Sequence, residues 1–365
     1  MKIKIKQKEL SKVLRNIASV VKSINTLPIL DNIKVDVDDT GLYLSATNLE
    51  TYVTKHIDCE VIESGSLCAN AKVFKNIINN IHSEELILVH SGKDTLHIET
   101  DNFKYNFEVV GVDEFPIEKE VEKQETIFLP ASDVKKALQA TIPFTSTNDI
   151  EPNLFNVFFD ATNGLNIVST DRNRLSMYTL DAEIAIQSSA ILSKGTLSFL
   201  SGLISDSDES ELELIYGDDK VQFTYDGYTI SGNKIDAKYP NYRVVFPKDH
   251  QVHIKIDKTH LIESLKRIIV VAPINTFKSE FKFEDGMLEI LTKDLDYSRE
   301  GIEKIACEVI GEPIKVGFNT KLFFESVNAL DGEEINILIQ MATKGVVIYA
   351  DEYHKMIVMP VRLED

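Results

Sequence analysis

The stretch Gly41-Leu-Tyr-Leu-Ser-Ala-Thr-Asn-Leu49 decides the fold, because the chain writes it three times. It returns as Gly164-Leu-Asn-Ile-Val-Ser-Thr-Asp-Arg172 and again as Gly286-Met-Leu-Glu-Ile-Leu-Thr-Lys-Asp294. Thr47 and Thr170 stand 123 residues apart, and Thr170 and Thr292 stand 122 apart. A period that long is a whole domain, not the unit of a short-repeat solenoid. The flanks repeat as well. Glu9-Leu-Ser-Lys-Val-Leu-Arg-Asn-Ile17 is echoed by Ser132-Asp-Val-Lys-Lys-Ala-Leu-Gln-Ala140 and by Lys258-Thr-His-Leu-Ile-Glu-Ser-Leu-Lys266. Leu27-Pro-Ile-Leu-Asp-Asn-Ile-Lys-Val35 corresponds to Asn153-Leu-Phe-Asn-Val-Phe-Phe159 and to Phe281-Lys-Phe-Glu284.

Three domains in 365 residues average about 120 each, inside the usual range. The expected domains are 1–122, 123–250 and 251–365, with polar stretches near 117–126 and 247–252 and Pro116 and Pro247 at the junctions. Apolar residues make up 43%, enough for a core in each. The formal charge is −19 and the isoelectric point about 4.9, which taken alone argues against nucleic acid and for a soluble chain. Cys59, Cys68 and Cys307 are odd in number and show no CxxC spacing, so free thiols in a reducing compartment are expected. The start, Met1-Lys-Ile-Lys-Ile-Lys6, alternates like a strand with one wet face rather than a signal peptide. No run approaches the 18 or so apolar residues of a membrane span. A cytoplasmic protein is expected, with no membrane partner.

Each copy divides in two. A helix precedes strands such as Ile33-Lys-Val-Asp-Val37, and a second helix precedes strands such as Glu85-Leu-Ile-Leu-Val-His90. Period-2 alternation with turns at Asp38-Asp-Thr-Gly41 and Ser91-Gly-Lys-Asp94 reads as antiparallel hairpins. The fold class is therefore α+β: three tandem repeats of a duplicated helix-plus-antiparallel-sheet unit. Helices are expected at 8–22, 70–81, 132–142, 192–205, 257–269 and 319–330. In the first, Leu10, Val13, Leu14, Ile17 and Val21 form one face, and Lys8, Lys12, Arg15, Ser19 and Lys22 the opposite one. In the second, Val73, Phe74, Ile77 and Ile81 are expected inside, with Lys72, Lys75, Asn76 and Asn79 outside.

The six helices carry a net charge of +8, while the rest of the chain carries −27. Lys and Arg suit any solvated helix, but Glu is as good a helix former and is scarce here. A polyanion facing all six helices explains the sorting. With a Debye length of about 8 Å, local charge governs contact and the distant acidic surface is screened. The candidate DNA-facing cations are Lys8, Lys12, Arg15, Lys22, Lys72, Lys75, Lys135, Lys136, Lys194 and Arg267.

No catalytic constellation is visible. The eight histidines are scattered, without HExxH, and there is no GxGxxG or GxSxG. Ser91-Gly-Lys-Asp94 lacks the upstream Gly and the Ser/Thr of a phosphate loop. Asp36, Asp38 and Asp39 lack calcium-loop spacing. A non-enzyme with no catalytic residues, no cofactor and no metal is expected.

Taken together these segments resemble the β subunit of DNA polymerase III, the bacterial β sliding clamp family. The most specific are Thr26-Leu-Pro-Ile-Leu30, Ser169-Thr-Asp-Arg-Asn-Arg-Leu175, Lys238-Tyr-Pro-Asn-Tyr-Arg-Val-Val-Phe-Pro247 and Val358-Met-Pro-Val-Arg-Leu363. The resemblance covers the whole length. It implies the DNA clamp fold and a head-to-tail homodimer closing as a ring, a processivity factor that encircles double-stranded DNA without reading sequence. It implies tethering of the DNA polymerase III α subunit, clamp loader subunits and other proteins with a clamp-binding motif, through an apolar peptide pocket between domains two and three. By motif, the pocket residues are Leu154, Thr170, Arg174, Leu175, Pro240, Val245, Ile357, Met359, Pro360 and Arg362. By alignment, the dimer interface holds Tyr105 and Phe107 on one side, Val271 and Ala272 on the other.

The chain departs from the family pattern in places. Arg172 and Asn173 stand where a small residue and His are common, so the family's shape and charge at the pocket rim do not carry over to this chain. Val244 replaces a frequent second Arg, Ile24 occupies a region that often carries a DNA-touching Arg, and Glu364-Asp365 runs past the usual end. Two other readings remain open from the residues alone: a monomeric scaffold that binds proteins and never DNA, and an enzyme in a domain cleft.

Overall fold

The computed structural model describes residues 1–22, 24–92, 94–100, 102–182 and 188–363. Glu364, Asp365 and Lys93 of the Ser91–Asp94 turn lie outside the described residues. The helices are α1 (Gln7–Ile17), α2 (Ala71–Asn79), α3 (Ala131–Thr141), α4 (Pro152–Phe155), α5 (Lys194–Leu203), α6 (Lys258–Val271) and α7 (Thr320–Ala329). All described sheet pairings are antiparallel, as the alternation requires.

The first helix ends earlier than its periodicity suggests. Leu10, Val13, Leu14 and Ile17 are buried at 0–3% exposure, but Lys22 lies beyond the helix. The Ser19 hydroxyl donates to the Asn16 carbonyl at 2.6 Å, and the β-branched pair Val20-Val21 follows. Both favour leaving the helix. In α2 the Asn70 side chain accepts the Val73 N–H at 3.1 Å and caps the helix. The buried face is rotated from the expected one: Phe74 and Ile78 point inward, while Val73, expected inside, is 42% exposed and Ile77 half-buried. Asn319 caps α7 in the same manner, accepting the Leu322 N–H at 3.0 Å. The four-residue α4, begun by Pro152 at its first turn, has no counterpart in the predicted helices.

The chain packs into two compact units, and they do not follow the repeats. One comprises Met1–Lys135 with Gly195–Lys234; the other comprises Lys136–Lys194 with Ile235–Asp365. The first unit holds a 13-stranded sheet in which Thr51–Ile57 of repeat one pairs with Tyr228–Asn233 of repeat two. The second holds a nine-stranded sheet, in which Arg174–Leu180 of repeat two pairs with His354–Val358 of repeat three, and a separate four-stranded sheet. Its core gathers Leu261, Leu265, Phe281, Phe318, Phe323 and Met356, all at 0% exposure. Each unit thus closes one repeat against half of the central one.

Candidate functional site

In the second unit the chain reverses between the strands Leu165–Thr170 and Arg174–Leu180. Thr170 Oγ1 donates to the Arg174 carbonyl at 2.6 Å and accepts the Arg172 N–H at 3.1 Å. Asp171 Oδ1 accepts the N–H groups of Asn173 and Arg174 at 2.9 and 2.7 Å. These bonds hold Arg172 at φ +76°, in the left-handed region that side chains rarely take. Repeat one builds the same turn. Thr47 Oγ1 donates to the Thr51 carbonyl at 2.9 Å, accepts the Leu49 N–H at 2.9 Å, and leaves Leu49 at φ +73°. Repeats one and two share this backbone; the residue standing on it differs.

Arg174, two positions on, is 8% exposed and fully engaged. Its Nε and Nη2 donate to Asp171 Oδ2 at 3.1 and 3.0 Å, and its Nη1 donates to Glu325 of α7 at 2.6 Å. The guanidinium also stacks 4.9 Å from the centre of the Phe144 ring. A buried cation needs this many partners to offset its desolvation.

Beside this turn opens a cavity of about 370 Å³. Leu175 and Ile357 face each other across the strand pair and contribute its floor with Leu154 of α4. Pro240, Tyr242, Val245 and Met359 complete the apolar lining, and Glu151, Asn153, Arg172 and Asn241 supply its polar members. The wall is fixed from behind. Tyr242 Oη donates to Asp160 Oδ2 at 2.7 Å, and Arg243 Nη2 donates to the same oxygen at 2.8 Å. Burial works to raise the Asp160 carboxyl, but the bonds from Thr162 and Tyr242 and the charge of Arg243 outweigh it and its pKa falls. Burial pushes the Tyr242 phenol up to about 12, so it stays a donor. Asn153 Nδ2 donates to the Lys238 carbonyl at 3.0 Å and pins α4 to the same wall. An apolar cleft with a few fixed polar groups is the form of a small-ligand or peptide-anchor site.

The structure brings eight of the ten expected pocket residues, Leu154, Thr170, Arg174, Leu175, Pro240, Val245, Ile357 and Met359, to this cavity's lining. Pro360 and Arg362 lie outside it, on the tail beyond Met359. Leu154 sits on a helical turn and Val245 in a 3-10 turn. Among the lining residues, Glu151, Asn153, Asn241 and Tyr242 escape the sequence reading. The Glu151-Pro152 helix start was the available signal for the first two, and Asn241 and Tyr242 lie inside the Lys238–Pro247 segment quoted above.

The expected DNA-facing cations fall into two groups. Lys8, Lys12, Arg15, Lys72 and Lys136 are exposed on α1, α2 and α3. Lys75 is half-buried. Lys135 is largely buried and bonded to the Ile204 carbonyl at 2.7 Å and to Asp206 at 2.6 Å. Arg267 is held by Glu303 at 2.7 Å, Lys22 lies 3.5 Å from Glu50, and Lys194 sits 3.8 Å over the Phe155 ring. At the expected interface, Tyr105 is 49% exposed and Phe107 packs 5.9 Å from Phe74. Val271 is half-buried and Ala272 is buried at 4%, because the end of α6 turns it inward; the exposed apolar neighbours are Val270 and Ile274.

Among the described residues no group of three or more His, Cys, Asp or Glu could hold a metal ion. No described helix is long and apolar enough to cross a membrane.

Family models for the three domains of the DNA polymerase III β subunit match in order along the chain. The N-terminal domain covers residues 1–119, the central domain 128–241 and the C-terminal domain 243–362. The chain belongs to the DNA polymerase III β subunit family. The beta sliding clamp of Synechococcus elongatus is 25% identical and that of Pseudomonas aeruginosa 22%, each over the full length of both chains. The fold also matches solved structures. A DNA polymerase sliding clamp from Bacillus subtilis superposes with a TM-score of 0.93 at 19% identity, over all of both chains. A sliding clamp from Pseudomonas aeruginosa bound to griselimycin gives 0.94 at 21%, also over all of both. The family is that of the sliding clamps of DNA replication, and the three-domain architecture of helices and antiparallel sheets is the clamp fold.

Proposed function

We propose that two copies of this chain close head to tail into a ring around duplex DNA. The observation that carries the reading is a rule of strand pairing within the chain. The third strand of a repeat's first half pairs with the third strand of the next repeat's second half. Thr51–Ile57 meets Tyr228–Asn233, and Arg174–Leu180 meets His354–Val358. The corresponding strand of repeat three, Arg299–Ala306, is an outer strand of its sheet and, among the described residues, pairs only with Met287–Asp294. Its complement in repeat one is Lys104–Val110, of which residues 104–108 pair on one side only, among the described residues. Each existing seam uses five residue pairs, and residues 104–108 supply the same number. An open edge of this kind invites another chain. Exposed apolar residues beside it, Ile302 at 57% and Val270 at 73%, agree with a covered surface.

Inside such a ring the basic faces of the helices meet phosphates without reading bases, so the ring is retained and slides. The role is mechanical and topological, without catalysis, and is exercised in the cytoplasm. The cavity at Leu175 and Ile357 takes short apolar motifs of partner proteins: the polymerase α subunit, clamp loader subunits and repair proteins. The basic helices and the domains 1–122, 123–250 and 251–365 are the working parts of this reading.

The test is an edge-strand substitution. Asn106→Pro removes a backbone donor from residues 104–108 without touching the core. Sedimentation at micromolar concentration is expected to show a dimer for the wild-type chain and a monomer for the variant. Loading on nicked circular DNA is expected to persist until the circle is cut. A wild-type monomer, or retention indifferent to linearisation, overturns the ring.

A further inference from the structure

The cavity carries a charged pair at its mouth that its apolar walls do not require. Arg172 and Glu151 both line it and are bonded through Arg172 Nη2 and Glu151 Oε1. The other lining cation, Arg174, already spends Nε, Nη1 and Nη2 on Asp171 and Glu325. Arg172 is different: its side chain is 67% exposed, against 31% for Glu151. An ion pair this exposed is weak and easily exchanged. A guanidinium carries five N–H donors in a fork. Among the described contacts Glu151 occupies one nitrogen of it, so Arg172 has room for a second carboxylate. The cation cannot swing its backbone away, because Thr170 and Asp171 fix the turn and the Met359 N–H donates to the Asn173 carbonyl at 2.8 Å. In repeat one the corresponding place is filled by Leu49, so nothing in the turn itself demands an arginine.

We propose that Arg172 makes this cavity select peptides that carry an acidic side chain beside their apolar anchors. The proposal rests on the reading of the cavity as a peptide site. Arg172 determines specificity; the apolar walls supply most of the affinity. Glu151 holds the guanidinium in place while the cavity is empty and shares it when a peptide arrives.

The experiment uses the full-length protein and fluorescent peptides with identical Leu and Phe anchors. They differ only in having Asp, Asn or Lys next to the anchors, placed before them and after them in turn. The Asp peptide is expected to bind wild-type protein about two- to fivefold tighter than the Asn peptide, with Lys weakest, at low salt. The gap is expected to shrink as salt is raised. Arg172→Ala is expected to abolish the difference between the Asp and Asn peptides, while Arg172→Lys keeps part of it. Equal affinities on wild-type protein, a preference that survives Arg172→Ala, or a preference for Lys all overturn the proposal. Absence of binding by all the peptides overturns the peptide-site reading itself, and this proposal with it.

Discussion

Leu49 and Arg172 share a backbone conformation and differ in chemistry, so substituting glycine at both separates the two. A non-glycine residue in the left-handed region is strained by about 1 kcal/mol or more. Leu49→Gly and Arg172→Gly are each expected to raise unfolding free energy by up to about 1 kcal/mol in urea titration, since glycine also gains freedom in the unfolded chain. A second residue sets a pH limit. His354 is 3% exposed at the seam between repeats two and three, and its Nε2 lies 2.9 Å from Ser176 Oγ. Ser176 donates its own proton to the Ala140 carbonyl at 2.7 Å, so the imidazole is the donor. Burial lowers its pKa from 6.5 to about 4. The folded state therefore favours the neutral ring. Above pH 6.5 this has no effect; between 6.5 and 4 stability falls as protons bind the unfolded chain, by about 3 kcal/mol at most, and below 4 it levels off. His354→Gln is expected to flatten that window in pH-dependent denaturation. Thr47 and Thr170 were visible in the sequence as markers of the period. Their work as turn clamps was not, because a hydroxyl reaching a carbonyl four residues on leaves no periodic trace.

Helices and strands were legible where one side chain pattern governs them. Leu10, Val13, Leu14 and Ile17 announced α1, and alternation announced the hairpins. What failed were helix ends, where single polar bonds act, and the exact buried face of α2: Ser19 stands at the exit of α1 and Asn70 at the entry of α2. The short α4 was hidden because four residues carry no period, although it holds Leu154, Glu151's neighbour at the rim. The bond between Arg174 and Glu325 could not be foreseen, since 151 residues separate them. It ties the cavity to α7. Arg174→Ala leaves Asp171 without its buried partner and is expected to cost about 3 kcal/mol or more. Glu325→Gln, on a side chain 39% exposed, is expected to cost about 1 kcal/mol or less. Thermal unfolding of both variants checks the ranking. Gly317 is constrained differently. A Cβ there would stand 2.5 Å from the Val361 carbonyl oxygen, which follows the Met359 segment. Gly317→Ala is expected to destabilise by about 1–3 kcal/mol and to weaken peptide binding by displacing the tail.

At the scale of the molecule, composition misled and its distribution informed. A charge of −19 speaks against nucleic acid, yet α1 offers exposed Lys8, Lys12 and Arg15 on one side. Reversing Lys12 and Arg15 to Glu is expected to cut the yield of loading onto circular DNA severely, while sedimentation still reports the wild-type assembly. Unchanged loading would count against a DNA-facing role for α1. The threefold repeat was the clearest message of the sequence, but it hid how the units divide. Packing cuts through the central repeat, in α3 and again at the start of α5, because the seams between repeats are continuous sheet. The same pairing rule has a consequence for assembly. However many repeats are strung together, the chain ends with one strand edge of each kind. On the ring proposed above it is, in the language of polymer chemistry, an AB monomer, which would condense with itself and need no second component. Such monomers cyclise when dilute and extend when concentrated. A chain engineered with two repeats would keep both reactive ends, and the curvature of its seams would decide how many copies close the loop.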